Sequence, residues 1–295
     1  MRLEDVTDSI PISVLGGDID LVKQIQQLLT THGYLDPPAD GKFGGVSNWA
    51  LSEFAYRKGL STGQGLTKAL ARALLDVGSP SLPAIRKRGD WFDDVIAYMD
   101  AKEHWICRHP LALNIVYLEG TNPDGTPNDN KPNLFNDVRI VFSIDSTGLP
   151  VAQMWDGTTE PGLYWTTHPM SPKGAARIAF GQYKSWVVGT HHPGTAAAHE
   201  ALVQVEPILV YRDLNKDFKR QGDAVDLGLF AVNQHWGYDA PKDDLGRTSA
   251  GCLVGRTRAG HVQFMAKVKS DPRHQANSSY RFMTAVVPGS GVIGH

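Results

Sequence analysis

Two residues carry most of the chemistry in this sequence. His235 closes an apolar run, Phe230-Ala231-Val232-Asn233-Gln234-His235-Trp236-Gly237, and Cys252 sits in a tight segment, Thr248-Ser249-Ala250-Gly251-Cys252-Leu253-Val254. A thiol becomes a nucleophile at neutral pH only when a base or cation stands beside it. A histidine at the end of a neighbouring strand meets that need if a turn returns the sulfur to the imidazole. Gly251 permits close backbone approach there. Amides near Cys252 are placed to hold the oxyanion of an acyl-transfer intermediate. Ser249 is a further candidate, either tuning the site or bonding within its own turn. A lone buried Cys is usually a small hydrophobe; the chemical reading rests on the pair.

Other reactive types are scattered. His191-His192 and His199-Glu200 match no standard zinc spacing and lack a His-Glu-x-x-His pattern, so they read as a solvated loop, and neither metal nor cofactor is expected. Asp213-Leu214-Asn215-Lys216-Asp217 alternates oxygen ligands as a calcium loop does. Phe218 and Ala224, however, replace the glycine and the bidentate glutamate, which leaves a polar hairpin loop. Glu119, Asp137 and Glu160 have the residue type of paired glycosidase carboxylates, with nothing in the sequence to bring them together. An aromatic and polar stretch containing Glu160 and Trp165 suits a substrate groove. Trp236, Tyr238, Arg247 and Arg256 flank the central pair and complete the candidate substrate-binding set.

The elements that must position these residues fall into two parts. Leu21, Ile25, Leu28 and Leu29 recur at helical spacing after Asp18 or Asp20 as N-cap, and Gly33 ends the helix. A Pro/Gly-rich loop follows, then helices from about Ser47 and over roughly 67–75. Residues 78–89 read as a linker and 91–102 as a short helix. Beyond that the pattern becomes one of strands: 113–118, 138–143, 153–155, 185–188, 208–211 and 229–232, with one later helix at 259–269. The expected class is α+β: a small three-helix domain over 1–77, a linker and short helix over 78–110, and a mostly β, sandwich-like domain over 111–295.

The first part resembles the small three-helix peptidoglycan-binding module. The residues that carry the likeness are Val22-Lys23-Gln24-Ile25-Gln26-Gln27-Leu28-Leu29, Gly33-Tyr34-Leu35, Asp40-Gly41-Lys42-Phe43-Gly44 and Ala50-Leu51-Ser52-Glu53-Phe54. The segment from His235 to Cys252 resembles the L,D-transpeptidase (YkuD-like) catalytic domain. That family places a histidine, a variable stretch and then Ser/Thr-His-Gly-Cys, an apolar residue and Arg or Asn. His235, Ser249, Gly251, Cys252 and Leu253 are the counterparts. The resemblance implies a β domain that attacks a stem peptide through cysteine and forms a thioester, which an amine or water resolves. Ala250 stands where the family has its middle histidine and Val254 where it has Arg or Asn. Arg247 and Arg256 are the nearest cations. These departures bear on transpeptidation more than on thiol chemistry, and a hydrolase of the endolysin kind is compatible with them. A carboxylate-dependent muramidase and a non-catalytic wall-binding protein are the alternatives.

Bulk properties exclude several classes. Among 295 residues, 29 Lys+Arg nearly balance 31 Asp+Glu, so no basic surface marks nucleic acid as a partner. No apolar run is long enough for a membrane span, and membrane insertion is not expected. The start, Met1-Arg2-Leu3-Glu4-Asp5, lacks the pattern of a signal peptide. Synthesis in the cytoplasm and action at the wall after lysis or non-classical export is the resulting expectation. Peptidoglycan is the expected partner, and oligomeric state is left open. Cys107 and Cys252 have unlike surroundings and read as two separate thiols.

Overall fold

In the computed structural model, which describes residues 1–292, helices come first and strands after, as an α+β class requires. The first three helices are α1 (Ile19–Thr31), α2 (Gly45–Arg57) and α3 (Lys68–Leu75). Asp18 caps α1 by accepting from the Leu21 amide at 3.0 Å, and Thr67 caps α3 through Leu70, each satisfying a donor that the first turn leaves free. Gly33 ends α1 at a positive φ of 92°. Gln26 holds the following loop. Its Nε2 donates to Asp40, to the Lys42 carbonyl and to Ser47, while its Oε1 accepts from the Gly41 amide. Leu21, Ile25, Leu29, Leu51, Phe54 and Leu70 form one core that runs from Leu3 to Leu82. The segment expected as a linker is therefore partly built in, with Leu82 buried in that core and Ser81 hydrogen-bonded to Tyr34.

The second part is a closed eight-stranded barrel beside a small sheet. Its strands are β1 (Asn114–Glu119), β2 (Asp137–Ile144), β3 (Pro150–Thr158), β4 (Ala175–Ile178), β5 (Gly181–His191), β6 (His199–Gln204), β7 (Ile208–Asp213), β8 (Ala224–Gly228), β9 (Gln234–Trp236), β10 (Leu253–Gly255) and β11 (Phe282–Pro288). The barrel order is β1-β11-β5-β6-β9-β10-β3-β2, and β4, β7 and β8 form the separate sheet. The sandwich-like sheet expected from the sequence is thus closed on itself, which removes unpaired edges. Side chains alternate as strands demand. Ile115 and Tyr117 pack with α6 (Arg258–Ser270) through Phe264 and Met265. Val116 and Leu118 pack under α4 (Phe92–Ala101) through Phe92, Val95 and Met99. The run 229–232, expected as a strand, is irregular: Ala231 adopts φ 56° where the chain leaves β8 of the small sheet for β9 of the barrel. Two short helices, α5 (Leu163–Thr167) and α7 (Pro272–Ala276), complete the set.

The helical part is seated on the barrel by a buried ionic cluster. Asp36, 2 % exposed, meets Lys184 of β5 at 2.6 Å and Arg273 of α7 at 3.4 Å, and accepts from the Tyr280 hydroxyl at 2.7 Å. Burial alone would raise this carboxyl, but Lys184 and Arg273 outweigh it and hold the group below the usual carboxylate range. Arg108 adds bonds to the Thr31 and His32 carbonyls. Cys107 lies in the same seam, its thiol directed at the Gly33 carbonyl.

Candidate active site

β9 and β10 run parallel, with His235 level with Val254 and Gln234 with Leu253. Cys252 immediately precedes β10, and the Leu253 amide bonds the Asn233 carbonyl at 3.0 Å. Period-two alternation therefore turns Cys252 and His235 to one face, diagonal across the ladder. Both line a cavity of about 590 Å³ between the barrel and the small sheet.

The turn before Cys252 is shaped by its own groups. Ser249 donates to the Cys252 carbonyl at 3.0 Å and accepts from the Gly251 amide at 3.1 Å. It is buried and does not line the cavity. Gly251 has φ 122°, and a Cβ there would come within 2.3 Å of the Ala176 carbonyl oxygen on β4. The small sheet thus presses directly on the turn, a fit only glycine allows.

His235 is 1 % exposed. Its Nδ1 lies 2.8 Å from the Trp236 carbonyl oxygen. A carbonyl can only accept, so Nδ1 carries the proton and Nε2 keeps a lone pair. His191 stacks on this ring at 3.9 Å and 11°. The Asn233 side chain orients His191: its Oδ1 accepts from the Gln204 amide, so its Nδ2 must be the atom donating to His191 Nδ1 at 3.0 Å. Burial, then the neighbouring His191, pushes His235 well below the ordinary imidazole value. Burial, then His192 and His199, lowers His191 to about 4. The Cys252 thiol is pushed up to about 11 by burial, offset only by the Asn233 backbone amide, and Sγ points at the Ala231 carbonyl at 3.5 Å. The resting pair is therefore a neutral thiol and a neutral imidazole, so the thiol must lose its proton in the course of the reaction.

Beneath this pair lies Arg139 of β2, which no sequence motif singled out. It is fully buried, stacked on Phe264 at 4.4 Å, and bonds the His235 carbonyl at 2.7 Å, the Tyr117 hydroxyl at 2.6 Å and His261 Nδ1 at 3.0 Å. It anchors the strand that carries His235 from behind. His191 was also missed. It read as part of a solvated loop, yet it ends β5 with its ring buried against His235.

Of the candidate substrate-binding residues, Trp165 and Arg247 line the cavity, the Trp165 indole donating to the Arg247 carbonyl at 2.9 Å. Trp236 and Tyr238 meet at a tilt of 42° near His199, off the cavity lining. Arg256 is paired with Asp156. Glu160 is buried and paired with Arg177 at 2.9 Å. The structure does gather Glu119, Asp137 and Glu160, but inside the protein. Arg220 grips Glu119 with both Nη atoms at 2.7 and 2.6 Å, and Thr159 bridges Glu119 and Asp137. None of the three lines the cavity. Among the described residues, no three His, Cys, Asp or Glu side chains are placed to hold a metal ion. No helix there is long and apolar enough to cross a membrane.

Comparison with known proteins adds to this geometry at one end of the chain. Residues 19–64 match the family described as "Putative peptidoglycan binding domain", the segment held together by Gln26. No curated protein matches the chain. Among solved structures, a fused Zn-dependent amidase/peptidase/peptidoglycan-binding domain-containing protein from Clostridium acetobutylicum is 14 % identical, with 90 % of this chain and 95 % of that one covered. Its TM-score of 0.29 is too low to bear on fold or activity.

Proposed function

We propose that this protein is a peptidoglycan-modifying cysteine enzyme acting on stem peptides by acyl transfer through a thioester. The observation that carries the reading is the contact of His235 Nδ1 with the Trp236 carbonyl oxygen at 2.8 Å. With Nδ1–H committed to the Trp236 carbonyl, Nε2 is the available base in the cavity that Cys252 also lines. The match of residues 19–64 to a peptidoglycan-binding family supports the wall as the place of action. A docking module raises the effective concentration of stem peptides at the cavity.

The chemistry follows from two neutral partners. As Sγ attacks the peptide carbonyl carbon, the thiol proton passes to His235 Nε2, and backbone amides near Cys252 hold the oxygen that gains charge. Collapse breaks the C–N bond, and the departing amine takes the proton from His235. The thioester on Cys252 then yields to water or to a second amine, with His235 again the base. Burial opposes charge on His235, which favours rapid return of the proton to the leaving group.

The test is mass spectrometry of muropeptides released from purified sacculi by the wild type and by Cys252→Ala. New products that depend on Cys252 are expected, together with an acylated enzyme mass that disappears in the variant. Identical products from both proteins would refute the thiol mechanism and favour a carboxylate-dependent glycosidase. Retention on sacculi with unchanged muropeptides would reduce the protein to a wall-binding role.

A further inference from the structure

The cavity over Cys252 carries a charge imbalance that the proposed reaction does not use. Among the described residues its lining includes Arg212 and Arg247, and no Asp or Glu. Both arginines are held in place without surrendering their terminal donors. Arg212 on β7 is 9 % exposed; its Nε donates to Asp226 at 3.1 Å, and its guanidinium lies over Phe230 at 4.4 Å. Those contacts fix the plane of the fork, while its two Nη atoms make no hydrogen bond among the described residues. Arg247 stacks on Tyr164 at 3.6 Å and has no acidic partner among the described residues. A planar guanidinium fixed at Nε and open at Nη matches a carboxylate in two parallel hydrogen bonds. The strand that carries the fork also adjoins the strand that packs on the nucleophile's turn. Arg212 pairs with Ala176 across β7 and β4, and the Ala176 carbonyl is the atom that packs on Gly251 beside Cys252.

We propose that this cavity selects peptides presenting a free carboxylate near the scissile bond, with Arg212 as the specificity-determining clamp and Arg247 as a second contact at the rim. The proposal deepens the stem-peptide reading above and rests on it. The carboxylate has two sources in such a peptide, the C-terminus and an acidic side chain, and Arg212 serves either by the same geometry.

The experiment separates binding from turnover by using the full chain with Cys252→Ala. Calorimetry at pH 7 compares three synthetic four-residue stem peptides: one with both carboxylates free, one amidated at the C-terminus, and one amidated at the acidic side chain. At least one amide is expected to bind tenfold or more weakly than the free acid, and whichever does so identifies the source. Arg212→Met should erase that gap and Arg247→Ala should narrow it. Arg212→Lys, which keeps the charge and loses the fork, should leave only part of it and serves if the Met variant fails to fold. Equal binding of all three peptides, binding of none, or a gap that survives both arginine substitutions would overturn the proposal. Cys252-dependent products from sacculi in any of those cases would leave the acyl-transfer reading standing. A carboxylate preference without such products would sink that reading and leave the clamp.

Discussion

Gly251→Ala tests most directly whether the small sheet seats the nucleophile. The added methyl would meet the Ala176 carbonyl oxygen at 2.3 Å and the carbonyl carbon at 3.2 Å, and the backbone would remain at φ 122°. Holding a non-glycine residue at such a φ costs about 1–3 kcal/mol. Overpacking against backbone, which cannot rotate away, costs about another 1–3 kcal/mol. The sum, roughly 2–6 kcal/mol, is a large part of the 5–15 kcal/mol typical of a folded domain, so the variant is expected to fold with a Tm lower by on the order of 5–20 °C. Function should suffer more than stability. Relief comes only by moving β4 or unwinding the turn, and either displaces Cys252 from the face it shares with His235. Calorimetry would give the Tm, and accumulation of acylated enzyme on a stem peptide would report the site. A variant with wild-type Tm and wild-type acylation would refute the account of the turn.

The remaining predictions concern protonation and the seam between the two parts. Iodoacetamide should label Cys252 and spare Cys107 in the folded protein, since only Cys252 lines the open cavity. With the Cys252 thiol near 11, its labelling rate should still be climbing above pH 9, and a plateau near pH 7, read by mass spectrometry, would contradict the neutral resting pair. Asp36→Asn should cost about 3 kcal/mol, the lower end for breaking a buried pair, because Arg273 keeps Asp271 at 2.6 Å and Lys184 is partly exposed. Urea denaturation would measure the loss. Asp36 stays ionised in the folded protein at pH values where the unfolded chain takes up a proton, so its contribution is present above about pH 4 and fades as pH falls further. Asp137 behaves oppositely. Burial, then Glu119, raises it to about 7, so the folded protein retains a proton that the unfolded chain releases near pH 4. Stability should therefore fall as pH rises from about 4 towards 7, and Asp137→Asn should flatten that slope in thermal melts from pH 5 to 8. An unchanged slope would mean that Asp137 is ionised throughout.

The sequence by itself determined the local elements and nominated the pair of residues proposed to react. Leu21, Ile25 and Leu29 repeat at helical spacing and Asp18 stands before them, so α1 and its cap were legible without tertiary contacts. The polar loop that follows β7, beginning at Asp213 to Asp217, was legible too, but β8 at Ala224–Gly228 was not, the next strand having been expected at 229–232. Cys252 and His235 could be nominated because the segment from His235 to the Ser-x-Gly-Cys turn has a recognisable residue pattern. Barrel closure was not legible. β9 and β10 are three residues long, and β11 pairs parallel with a strand that begins more than half the chain earlier, so no local period marks them. The strand expected at 229–232 failed because Ala231 turns the chain between two sheets, a demand set by the sheets and not by Ala231. His191, Arg139 and Arg212 escaped for the same reason. Each lies on a different strand from Cys252, and a lone His or Arg on a strand has no period or spacing to reveal its partner. Tertiary structure also decided the protonation states. Sequence pairs a cysteine with a histidine, but only burial leaves the thiol protonated and the imidazole neutral.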